Sequence, residues 1–89
     1  MKVSDQLILR TIADEHLLVP TGQLAFRIKG LIVLSESGAL LYNRLKDGCA
    51  KADLVAALTE EYEVSEEEAG RDTDAFLDQM RSLGILLED

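Results

Sequence analysis

A chain of 89 residues with 47% hydrophobic side chains and a net charge of −8 suits one folded unit with one modest core and is too apolar for a disordered tail. No apolar run approaches the roughly 20 residues that span a bilayer, and the first residues meet acidic side chains early without a small-residue cleavage site, so neither a membrane helix nor a signal peptide is expected and the reading is cytoplasmic. One cysteine, Cys49, and one histidine, His16, exclude an internal disulfide and are too few for a closed zinc site.

In chain order, Leu7–Ile12 reads as a strand, Asp14-Glu15 as a turn and His16–Val19 as a second strand ended by Pro20-Thr21-Gly22. His16 is expected to be an ordinary edge residue. Residues 23–29 (QLAFRIK) alternate weakly and fit either a loop or an extension of the sheet. Leu31–Leu34 forms the third strand and runs through Ser-Glu-Ser-Gly straight into a helix over Glu36–Lys46. That direct join, ahead of two more helices, marks a winged-helix-like adaptor rather than an enzyme core.

Ser35 is the expected N-cap of this first helix, since its hydroxyl can accept from an unpaired amide of the first turn. Gly38, Leu41, Tyr42 and Leu45 share its buried face. Gly48 permits the stop, and Cys49 is placed inert in the loop that follows. A second helix covers Lys51–Glu61, with Leu54, Val55, Leu58 and Tyr62 as its stripe. The third and longest covers Ser65–Leu83. Ser65 followed by Glu68 is a capping box, and Ala69, Thr73, Phe76, Leu77 and Met80 lie on one face with Leu83 at the flank. Gly84 stops this helix, and Ile85–Leu87 is expected to pack back on the core. The fold class is α+β: a three-stranded antiparallel sheet followed by a three-helix bundle, in a single domain over 1–89.

Three segments then stand in a telling order: LSESGALLYNRL at Leu34–Leu45, DG at Asp47-Gly48, and EEYEVSEEEAGRDTDAFLDQMRSLGIL at Glu60–Leu86. Together they resemble the PqqD family and the related peptide-binding domains called RiPP recognition elements, whose strand-to-helix segment reads LNxTGA and whose tail reads YxVxxxxxxxDVxxFLxxLxxxGLL. The resemblance covers about Leu7 to Leu87. Ser35 stands where Asn is common, Tyr42 where Trp is frequent, Ala50 where a Thr caps the second helix, and Thr73 where valine is usual. Without its cap the second helix is expected to start late or fray, at a cost of about 1 kcal/mol.

The resemblance implies a non-catalytic adaptor without cofactor. Such domains bind the leader part of a ribosomally made precursor peptide and present it to a tailoring enzyme, often a radical SAM maturase. The leader adds as an extra strand beside the third strand, in a groove closed by the third helix. An exposed strand edge suits this role, because its unpaired amides and carbonyls accept any extended peptide. On this basis the expected site is the edge Leu31, Ile32, Val33 and Leu34, with Asp72, Phe76, Gln79, Met80 and Leu83 on one flank of the third helix. Asp72 would meet a leader Lys or Arg. The pattern is also compatible with an internal strand and with Phe76 and Met80 as plain core. A free edge also allows either a monomer or an edge-strand dimer.

Charge weighs against the main rival. Residues 1–46 balance at +2 and residues 47–89 at −10. Read as a DNA-recognition helix, the third helix would set Glu66, Glu67, Glu68, Asp72, Asp74 and Asp78 against only Arg71 and Arg81, the wrong sign for phosphate. An acyl carrier is disfavoured by the lack of an Asp-Ser-Leu triplet. A free-standing enzyme is disfavoured by the lack of paired catalytic acids, a phosphate loop or a metal cluster. The alternative is a helix-turn-helix-like nucleic-acid-binding domain or a general protein-interaction domain.

Overall fold

The computed structural model describes residues 1–88. Nine elements follow one another: β1 (Lys2–Val3), β2 (Leu7–Ile12), β3 (Glu15–Pro20), α1 (Leu24–Arg27), β4 (Ile32–Leu34), α2 (Glu36–Leu45), α3 (Lys51–Glu61), α4 (Glu66–Ser82) and β5 (Leu86–Leu87). The architecture is α+β, with β2, β3 and β4 in one antiparallel sheet in that order. A separate two-stranded ladder joins β1 to β5.

The β2–β3 hairpin turns on Ala13 and Asp14, both at positive φ (50° and 67°). Tight two-residue hairpins need that conformation at both positions. The turn therefore falls one residue earlier than expected, and Glu15 becomes the first strand residue, opposite Ile12. Leu9, Leu18 and Ile32 form one cross-strand row and Thr11, His16 and Leu34 the next. His16 is thus no edge residue: β3 is the middle strand, and His16 Nδ1 lies 2.9 Å from Thr11 Oγ1. The segment 23–29 is neither loop nor strand over its centre. It makes the single turn α1, whose Leu24 amide donates to Gln6 Oε1 at 3.0 Å.

The inward faces of β3 and β4 bury Leu18, Ile32 and Leu34 against Leu41, Leu54, Leu58, Leu77 and Met80 of the helices. α3 packs against both α2 and α4. The stripes of all three helices are buried largely as their spacing predicts, α2 through Gly38, Leu41, Tyr42 and Leu45 and α4 through Ala69, Thr73, Phe76, Leu77 and Met80. Ile85 is fully buried and Ser4 N donates to its carbonyl at 2.9 Å, so the C-terminal tail packs back and holds the first residues with it.

The three helix starts are capped in two ways. Ser35 Oγ accepts from Gly38 N at 3.0 Å, and Ser65 Oγ accepts from Glu68 N at 3.1 Å. No return bond from the Glu68 side chain forms among the described residues, so the expected box at α4 is half made. At α3 the halves are reversed. Ala50 has no side-chain acceptor, yet Asp53 Oδ2 accepts from Ala50 N at 2.9 Å. That bond lets α3 begin at Lys51 rather than later.

Candidate functional site

β4 pairs with β3 on one side only, so its other side is a free sheet edge. The strand ends at Leu34, and Ser35 caps α2 at once. Gly38 makes this tight join possible: a Cβ there would lie 3.2 Å from Ser35 Oγ and 3.6 Å from Leu34 Cβ. The first turn of α2 is thereby pressed onto the end of the strand, and α4 passes alongside.

Between these elements lies a cavity of about 300 Å³. Leu34, Ser35 and Leu41 form one wall; Asp72, Phe76 and Gln79 of α4 form the other. Four of the nine expected site residues, Leu34, Asp72, Phe76 and Gln79, therefore converge on one groove. The remaining five are placed differently. Ile32 is buried inward beneath the edge. Val33 (65% exposed) and Leu31 (57% exposed) face the other side of the sheet, so they offer the groove backbone rather than side chains. Leu31 precedes the strand proper, which starts at Ile32. Leu83 is half-buried at the C-cap of α4, outside the groove. Met80 is a correction: it is fully buried in the core, because its position on α4 turns inward beneath the groove, and it has no surface to offer a ligand.

A second cavity of about 340 Å³ continues past the end of β4 and shares Ser35, Ser37 and Asp72 with the groove. Leu58, Tyr62 and Val64 line it as well, with Glu36 at its mouth. The helical spacing places Tyr62 on the α3 stripe and gives Val64 no role. The one sequence signal for this pocket was the Tyr-x-Val spacing directly after α3, where the chain leaves the helix and side chains need no longer follow its face.

The electrostatics are one-sided. Asp72 and Glu36 make no ion pair among the described residues, whereas Asp74 pairs with Lys51 at 2.7 Å and Glu67 with Arg71 at 3.1 Å. Burial, and then the Glu36 and Glu61 carboxylates, push the Tyr62 phenol up from its ordinary value. Burial and Asp53 likewise push the Cys49 thiol up, against the opposing N-terminal ammonium and Arg44. Cys49 is therefore a protonated thiol at neutral pH, poor as a nucleophile. No helix is long and apolar enough to cross a membrane, and no cluster of His, Cys, Asp and Glu able to hold a metal occurs among the described residues.

This geometry meets known proteins at two levels. The profile of coenzyme PQQ synthesis protein D (PqqD) matches residues 15–86. The chain belongs to the PqqD family. Among solved structures, TbiB1 in complex with the TbiA(beta) leader peptide is 25% identical, with a TM-score of 0.77 over 100% of both chains. Lasso peptide synthetase B1 complexed with the leader peptide is also 25% identical, with a TM-score of 0.76 over 98% of this chain and 96% of its own. No curated protein matches. A PqqD-family chain whose structural neighbours are leader-bound domains thus carries a free strand edge beside an acid-flanked groove.

Proposed function

We propose that this chain is a leader-peptide adaptor. It captures the leader of a ribosomally made precursor by strand addition at β4, and it presents the precursor to a separate modifying enzyme. A radical SAM maturase in the cytoplasm is the partner class that the family resemblance favours, and the chain itself contributes no catalytic group. The observation that carries this reading is the free edge of β4 lying directly beside the cavity lined by Leu34, Asp72, Phe76 and Gln79. Both structural neighbours are complexes with a leader peptide, which supports it further. Main-chain bonds along the edge supply affinity for any extended peptide, and the groove side chains select among peptides. Asp72 adds attraction for a basic residue.

The test is an amide-resolved NMR titration with the short peptides encoded beside the gene. Saturable shifts are expected at Ile32–Leu34 and along Asp72–Gln79. N-methylation of successive backbone amides in the bound peptide should weaken binding at every second position, because alternate amides of a strand face its neighbour. Shifts without that period-two pattern would rule out strand addition. No shifts with any neighbouring peptide would move the reading to a general protein-interaction domain.

A further inference from the structure

We infer that β2, the second free edge of the sheet, is where the modifying enzyme docks, by adding an edge strand of its own that sets an acidic residue opposite Arg10. The inference rests on the adaptor reading and gives the second partner in that reading a surface.

The bonding pattern of β2 sets what this edge offers. The sheet order is β2-β3-β4, so β2 has a neighbour on one side only. Thr21 N donates to Gln6 O at 2.9 Å, and in an antiparallel ladder bonded and non-bonded pairs alternate. Ile8, Arg10 and Ile12 are therefore the residues that bond to β3, opposite Val19, Leu17 and Glu15. The amides and carbonyls of Leu7, Leu9 and Thr11 point to the open side. Pro20, which has no N–H, stands opposite Leu7, where none is needed. The six residues of β2 pair one to one with β3 and include no proline or glycine. No bulge or break blunts this edge, and Arg10 is its one charge. β4, by contrast, is three residues long.

The side chains set the chemistry of the occupant. Leu7 and Leu9 pack on the core, while Ile8 and Ile12 stand exposed on the outward face. A strand that is apolar on both faces belongs in a sheet covered on both, and a protein that adds a strand here also covers Ile8 and Ile12. Arg10 lies between them and makes no ion pair among the described residues, so an acid directly opposite is its natural cross-strand partner. The two cavities beside β4 touch no residue of β2. A flexible peptide draws its specificity from such pockets, whereas the edge of a folded protein is ordered before it binds. A second copy fits less well. A two-fold pairing of β2 that matches Ile8 with Ile12 sets Arg10 against Arg10, and one centred on Leu9 leaves Arg10 against Ile8. Each copy also carries a charge of −8. Because β3 separates the two edges, leader and enzyme bind together, and the sheet then runs enzyme strand, β2, β3, β4, leader.

The test uses the full chain and the purified modifying enzyme encoded beside its gene. In the free chain, amide exchange should be slow at Ile8, Arg10 and Ile12 and fast at Leu7, Leu9 and Thr11. The enzyme should slow the second set. Thr11→Pro deletes one outward amide and leaves the β2–β3 bonds in place, and Arg10→Glu reverses the charge. Each should weaken enzyme binding about tenfold, the worth of one well-placed contact. Both should leave the leader-induced shifts at Ile32–Leu34 unchanged, and Arg10→Glu serves even where Thr11→Pro fails to fold. Val33→Pro, on the other edge, should lose the leader and keep the enzyme. Enzyme binding without slowed exchange at Leu7, Leu9 and Thr11, or binding unchanged in both β2 variants, would overturn the docking edge. Slowing at those amides with rising concentration of the chain alone would give the edge to a second copy and overturn it equally. No enzyme binding would overturn it too. The leader titration is separate, and its failure would remove the adaptor reading on its own.

Discussion

At the residue scale, Thr73 is the least comfortable side chain in the core. It is fully buried, and its hydroxyl finds no hydrogen-bond partner among the described residues. A buried hydroxyl left unpaired costs roughly 1–3 kcal/mol, whereas valine has the same branched shape without the polar atom. The family pattern places valine here. Thr73→Val is expected to stabilise the chain by about 1 kcal/mol, read as a rise in the denaturant midpoint with an unchanged slope. A fall in the midpoint would mean that the hydroxyl is paired in solution. The same position shows what single residues reveal in advance. Spacing on α4 placed Thr73, Phe76 and Met80 on one face correctly. It does not say how deep each lies on that face. Phe76 reaches the groove and Met80 one turn on does not, because depth is decided by the elements packed on top.

At the element scale, legibility followed the length of the periodic signal. α3 has the boundaries its pattern predicts, and α2 and α4 differ from theirs only by cap residues. Serines at two of the three starts marked the caps. β1, β5 and α1 were not legible, since two-residue ladders and a single turn carry no period. They exist through tertiary bonds: β1 through Ile85 and β5, α1 through the Gln6 side chain eighteen residues away. The groove was legible where it uses long elements, and its extension was not, because Tyr62 and Val64 lie just past a helix end. The cap at α3 yields a prediction. Asp53 already supplies the return bond to Ala50 N, while the Asp53 amide donates only to the Ala50 carbonyl at 3.1 Å, so the missing half is a side-chain acceptor at position 50. Ala50→Ser completes the box and should add about 1 kcal/mol, measurable as slower amide exchange in the first turn of α3 together with a higher global stability. An unchanged exchange rate at Asp53 N would show that the new hydroxyl does not reach it.

At the scale of the whole molecule, the sheet has two unlike faces. The inward face is core. The outward face carries Ile8, Ile12, Leu31 and Val33 exposed, with Leu17 and Val19 half-buried beside them, where an antiparallel sheet open to water normally alternates to polar residues. Such a face, next to a free edge, favours self-association. Two features oppose it: the edge is only three residues long, and the chain carries a net charge of −8, so two copies repel. The free chain is therefore expected to sediment as a monomer at low salt and to associate in about 1 M salt, where the screening length falls to roughly 3 Å. Ile12→Lys, on β2 and away from the β4 edge, should suppress that association without touching the groove. Salt would also weaken capture of a basic peptide, by screening Asp72 and Glu36. In the Ile12→Lys chain the first effect is gone, so any remaining loss of peptide affinity with salt measures the acid-flanked groove alone. A dimer that persists at low salt in both chains would instead mean that β4 pairs with its own copy, and that peptide and copy compete for one edge.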